Sequence, residues 1–155
     1  MAPVVFVDTS VMCNIIPVPG RDQDREAVMA RLAELRESRA HMILPITSVI
    51  ETGNFVGNLK DGTVRRDVAQ RFVRHLELVI SNRAPWRLHE VEWGAEFIRS
   101  LISGADTETD LVGHAMHGVG TGDLCILTER LMYRRRSRLQ DVEIWSMDAK
   151  LSAHS

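Results

Sequence analysis

The sequence predicts an α/β fold, a three-layer α/β/α sandwich around a central, mostly parallel sheet. Three observations lead there. Short apolar runs at Val4 to Val7, His41 to Leu44 and Val142 to Met147 read as strands, the first of them buried on both faces. Stretches with apolar residues three and four positions apart separate these runs and read as amphipathic helices. Strands alternating with helices need crossover connections, and crossovers make neighbouring strands parallel. The 155 residues form one domain, 1–155, long enough to bury a single sizeable core.

Each element has its own signal. Val4-Val5-Phe6-Val7 is the first strand, and Ser10 to Ile16 forms a short helix that Pro17-Val18-Pro19-Gly20 breaks. Asp24 to Arg39 is amphipathic, with Val28, Leu32 and Leu35 on one face. His41 to Leu44 is closed by Pro45, and Ile46 to Val56 is a helix opened by Thr47 or Ser48. Gly62 to Ile80 carries Val64, Val68, Phe72, Leu76 and Val79 at helical spacing. Trp86 to His89 is a short third strand, and Glu92 to Ile102 spaces Trp93, Phe97 and Leu101 as a helix does. Ser103 to Gly122 is polar and glycine-rich, with a short helix at Leu111 to Met116. Asp123 to Arg138 is a helix that turns basic at its end, before the last strand.

Composition narrows the function. A hydrophobic fraction of 45% and a charged fraction of 26% are ordinary for a globular chain. The formal net charge of −2 argues against holding nucleic acid by bulk electrostatics, though carboxylate-bound metal can restore positive charge locally. An aromatic fraction of 5% argues against a base-stacking platform. No apolar run is long enough to span a membrane, and Met1-Ala2-Pro3 leads into the strand without a signal peptide. Cys13 and Cys125 lack metal-ligand spacing and read as buried thiols, which fits a reducing cytoplasm.

Four carboxylates stand at junctions flanked by apolar or small residues. Asp8 ends the first strand, Glu51 lies in the helix after the second, Asp123 follows a glycine-rich turn, and Asp148 follows the last strand. In a parallel sheet with right-handed crossovers all strand ends of one sense share an edge. That edge gathers Asp8 and Asp148, and helices leaving it can bring Glu51 and Asp123 to the same place. The plainer roles are an N-cap for Asp8 or Asp123, a solvated helix position for Glu51 and a turn for Asp148. Clustered oxygen ligands suit Mg²⁺ or Mn²⁺, which activate water and neutralise a phosphodiester.

The arrangement resembles the PIN domain, a small α/β nuclease fold, and within it the VapC-like ribonuclease toxins. The likeness rests on Val5-Phe6-Val7-Asp8-Thr9-Ser10, Thr47-Ser48-Val49-Ile50-Glu51, Gly122-Asp123-Leu124-Cys125-Ile126-Leu127 and Ser146-Met147-Asp148, which together span the chain. The resemblance implies that Asp8, Glu51, Asp123 and Asp148 bind Mg²⁺ or Mn²⁺ and activate water to hydrolyse RNA. Thr9, Ser10 and Ser146 match positions that support those carboxylates. It further implies an RNA substrate, an antitoxin partner and a homodimer. Ser146 stands where threonine is commoner, and Leu127-Thr128-Glu129-Arg130 departs from an alanine-rich continuation. The alternative reading is a catalytically silent PIN-like module that binds protein or RNA. A phosphatase with Asp8 as nucleophile is disfavoured, because Ser10 occupies the place of the second aspartate such enzymes need.

Three other groups read as structural. His114 and His117 share a helical face, but no further ligand completes a zinc site, and a surface helix is expected. Asp106, Glu108 and Asp110 read as a solvated acidic turn. Arg134-Arg135-Arg136-Ser137-Arg138 complements the end of its helix dipole, with phosphate contact the lesser expectation.

Overall fold

The computed structural model describes residues 2–154. Four strands, β1 (Val4–Val7), β2 (His41–Leu44), β3 (Trp86–Leu88) and β4 (Val142–Trp145), form an all-parallel sheet in the order β3-β2-β1-β4. Eight helices accompany them among the described residues. These are α1 (Thr9–Ile15), α2 (Arg25–Glu37), α3 (Ile46–Gly57), α4 (Gly62–Ile80), α5 (Ala95–Ile102), α6 (Leu111–Met116), α7 (Thr121–Ser137) and α8 (Ala149–Ser152).

The alternation of side chains along β1 divides the core in two. Val5 and Val7 pack with residues of α1 to α4 and with Trp86, which is fully buried. Val4 and Phe6 face the other way, onto Leu101 of α5, Leu124, Ile126 and Leu127 of α7 and Leu151 of α8. The result is the α/β/α sandwich that the sequence predicts, with every strand pair parallel. Chain direction explains the division of helices. The path steps β1 to β2 to β3 towards one edge and then returns to place β4 on the other side of β1. Right-handed crossovers running in opposite directions fall on opposite faces. The reversal leaves a topological switch point between β1 and β4, where open α/β sheets form ligand crevices.

Several boundaries differ from the sequence reading. α5 starts at Ala95, not Glu92, leaving Trp93 in the preceding loop and 52% exposed. α7 starts at Thr121, so Asp123 lies inside the first turn and Gly120, not Asp123, is the N-cap. β4 ends at Trp145, before Ser146 and Met147. Val64 of α4 is exposed, whereas Val68 and Val79 carry the buried face. His114 is buried rather than on the surface: its Nε2 lies 2.6 Å from Thr107 Oγ1 and its ring packs against His154. The acidic turn is solvated, as read, with Asp106, Glu108 and Asp110 all exposed. The basic end of α7 ties the fold together. Arg134 donates to the Val142 carbonyl and Arg136 to the Glu90 carbonyl, at the end of the helix away from Asp123. Cys13 and Cys125 are both free thiols, Cys13 buried and Cys125 half-buried. Among the described residues no helix is long and apolar enough to cross a membrane.

Candidate functional site

A cleft of about 500 Å³ opens at the switch point, and Asp8, Glu51, Asp123 and Asp148 all line it, as do Thr9 and Ser10. Backbone geometry brings them there. The Asp8 amide donates to the Trp145 carbonyl at 3.0 Å, extending the β1–β4 pairing by one residue beyond the strand. α3 is pinned to the same edge by Ser48 Oγ, which donates to the Val7 carbonyl at 2.8 Å and so fixes where Glu51 projects. α7 approaches through Gly122, where an added Cβ would run into the Glu51 carboxylate.

The two oxygens of Asp8 have different surroundings. Oδ2 accepts from Ser10 Oγ at 2.7 Å, from Ser146 Oγ at 2.8 Å and from the Ser10 amide at 3.3 Å, which makes Asp8 the N-cap of α1. Oδ1 is buried and has no hydrogen-bond partner. Capping therefore uses one oxygen of Asp8 and leaves the other without a hydrogen bond. The serines are oriented in turn: the Met147 amide donates to Ser10 Oγ at 2.8 Å and the Asp148 amide to Ser146 Oγ at 2.9 Å. A carboxylate oxygen can only accept, so both hydroxyls point their protons at Asp8 Oδ2. Ser146 thus supports Asp8 from behind rather than lining the cleft.

The other three carboxylates differ in environment. Glu51 Oε1 accepts from Thr9 Oγ1 at 2.9 Å. Burial pushes the Glu51 pKa up, and the Asp8 charge adds to that effect, while the Thr9 bond opposes it. Asp123 is pushed up to about 7, first by burial and then by the charges of Asp8, Asp148 and Glu51. Asp148 caps α8 through Oδ1, which accepts from the Lys150 amide at 2.9 Å.

Sequence reasoning missed several residues of the cleft. Asp24, Arg21, Phe55, Asn14 and Cys13 also line it. Asn14 is buried and braces the cleft wall, its Nδ2 donating to the Ser10 carbonyl and its Oδ1 accepting from the Asp24 amide. Asp24 reads from sequence as the start of a helix, yet its side chain makes no capping bond and is left for the cleft. Away from the cleft, Glu129 of α7 is fully buried and neither of its oxygens meets a partner at good geometry. Burial pushes its pKa up to about 7, with the Trp93 indole pulling weakly the other way.

The donor set fits a hard divalent cation. Such ions take oxygen ligands, and Mg²⁺ keeps most of its waters while using only one or two carboxylates directly. A buried carboxylate oxygen without a partner, Asp8 Oδ1, is a group that would gain from one. Among the described residues no group of three or more His, Cys, Asp or Glu side chains is placed to hold a metal ion as it stands.

The raised pKa of Asp123 gives a sign that can be checked in metal-free protein. In the unfolded chain the group ionises near 3.8, whereas in the folded one it holds its proton to about 7. Its favourable contribution is complete below about 4 and is lost as pH rises towards 7. Asp123→Asn removes that loss. In EDTA the variant should therefore melt about 2–4 °C above wild type at pH 8, roughly the effect of 1 kcal/mol after discounting for solvent screening. At pH 4 the two should melt together. His75, His89 and His114, whose pKa values burial lowers, titrate with the opposite sign but are common to both proteins. A variant less stable than wild type at pH 8 would refute the repulsion.

No family model, curated protein or solved structure matches the chain, which leaves the chemistry of the cleft to carry the functional reading.

Proposed function

We propose that the protein is a divalent-metal-dependent endoribonuclease of the PIN class, hydrolysing RNA phosphodiesters through Mg²⁺- or Mn²⁺-activated water. The observation that carries this reading is the division of labour in Asp8. One oxygen is saturated by three donors, and the other is buried without a partner beside three more carboxylates at the sheet's switch point. A buried aspartate with a purely structural role would have partners for both oxygens. Bound there, a divalent cation would lower the pKa of a ligated water and neutralise charge on the phosphodiester.

The chain's own residues have defined parts in this reading. Asp8 offers Oδ1 to the cation, and the Ser10 and Ser146 hydroxyls hold its other oxygen fixed. Thr9 holds the Glu51 carboxylate against the opposite wall. Asp123, half-protonated near neutrality, gives up its proton when positive charge arrives. Asp148 lines the cleft while Oδ1 stays tethered to the start of α8 by the Lys150 amide. As a toxin of a type II toxin–antitoxin pair, the protein would work in the cytoplasm, with an antitoxin and as a homodimer. These attributes come with the family resemblance.

The test is incubation of purified protein with a mixed-sequence RNA pool in Mn²⁺ or Mg²⁺, with EDTA as the control. Metal-dependent cleavage without 2′,3′-cyclic phosphate ends is expected, because the attacking oxygen comes from water. RNA left intact in both metals would eliminate the nuclease and leave the silent binding module.

A further inference from the structure

The acidic floor leaves one problem unsolved for a nuclease of this kind. Cations at the carboxylates neutralise the reacting phosphate, but the flanking phosphates of a polyribonucleotide still meet a negatively charged cleft. Arg21 is the only cationic side chain among the described residues that line it. Five carboxylates share the cleft with it, yet its guanidinium makes no ion pair and no hydrogen bond among the described residues. Instead its central carbon lies 3.5 Å from the centroid of the Phe55 ring. Stacking occupies a guanidinium's face and leaves its N–H edges to donate. A bidentate grip on a phosphate needs those edges.

The loop that carries Arg21 is held in place. The Arg21 amide donates to the Val18 carbonyl at 2.9 Å, and Val18 is buried with its own amide on the Cys13 carbonyl at 2.8 Å. Gly20 turns the chain at a φ of +84°, a conformation that suits glycine, and Gln23 Nε2 donates to its carbonyl at 2.8 Å. Loop and ring together fix the guanidinium's plane before any ligand arrives, which reduces the ordering cost of binding.

We propose that Arg21, stacked on Phe55, is the phosphate-binding residue of the cleft, gripping a single-stranded polyribonucleotide's backbone beside the phosphodiester that is cut. This rests on the nuclease reading above. It makes Arg21 a substrate-binding residue whose loss falls on KM more than on the bond-breaking step.

The test uses the full chain in Mn²⁺ with short fluorescein-labelled single-stranded oligoribonucleotides of mixed sequence. Arg21→Ala should raise KM about tenfold and leave kcat within about twofold. Arg21→Lys should recover part of the loss, since a point charge replaces the fork. Phe55→Leu, which keeps bulk but removes the ring face, should raise KM about threefold. The slope of log(kcat/KM) against log salt should become shallower by about 0.7 in Arg21→Ala, the loss of one single-strand phosphate contact. Wild-type KM and salt slope in Arg21→Ala would overturn the proposal and leave the nuclease intact. A loss confined to kcat would also overturn it, by placing Arg21 on the reacting phosphate. Absence of cleavage by the wild type would remove both readings together.

Discussion

Asp8→Asn is expected to lower RNA cleavage by at least about a thousandfold while the protein still folds. That ratio corresponds to roughly 4 kcal/mol of lost transition-state stabilisation. The reason lies in the asymmetry of the Asp8 carboxylate. The three donors on Oδ2 select the orientation in which the new amide's oxygen accepts from Ser10 and Ser146. The amide nitrogen then replaces Oδ1, the buried oxygen without a partner. The proposed cation ligand becomes a hydrogen-bond donor that would repel the cation, with almost no change in volume. Removing one of several repelling carboxylates should leave the metal-free melting temperature unchanged or slightly raised. Single-turnover cleavage in Mn²⁺ and a thermal melt in EDTA measure the two effects separately. Cleavage within tenfold of wild type would dispose of Asp8 as the central ligand.

Gly122→Ala should also separate activity from stability, by displacing a carboxylate rather than replacing one. An alanine Cβ at this position would overlap Glu51 Oε2 and lie 2.7 Å from Cδ, closer than real Cβ contacts come. The colliding group is the far end of a flexible side chain, so Glu51 swings aside and the fold survives. The helix does not lose by the exchange, because alanine is the better helix former and Gly122, second in α7, has an ordinary helical backbone. What is lost is the position of the Glu51 carboxylate and its bond from Thr9 Oγ1. Displacing a catalytic group by about an ångström can reduce rate by about a hundredfold. The expected result is therefore an unchanged or higher melting temperature with a fall in cleavage of about that size. Unaltered cleavage would remove Glu51 from the mechanism, and parallel losses of stability and activity would point to packing instead.

Local pattern and long-range packing contributed differently to what could be read in advance. The strand at Val4 to Val7 and its terminal Asp8 were legible because a buried strand is continuous in sequence and a carboxylate at its end is conspicuous. The same holds for His41 to Leu44 and for the residues leading to Asp148. Helix starts were less legible. Thr121 and Gly122 belong to α7 even though a glycine usually signals a turn, because close approach to Glu51 favours a residue with no side chain. His114 was misplaced on the surface because its amphipathic context gives no sign of Thr107 and His154 closing over it. Glu129 and Arg130 look like surface residues of a basic helix, yet both are buried, Arg130 donating to the carbonyls of Val142 and His154.

From the sequence alone follow the α/β class, the parallel sheet and the four carboxylates at its edge, since periodicity and strand-end position are local properties carried by neighbouring residues. Tertiary structure alone decided that Asp8 is saturated on one oxygen and bare on the other. It also decided that Asp24 joins the cleft and that Arg21 lies over Phe55, 34 positions away. Those outcomes depend on how helices dock across the sheet, and a docking contact between distant segments leaves no periodic mark on either one.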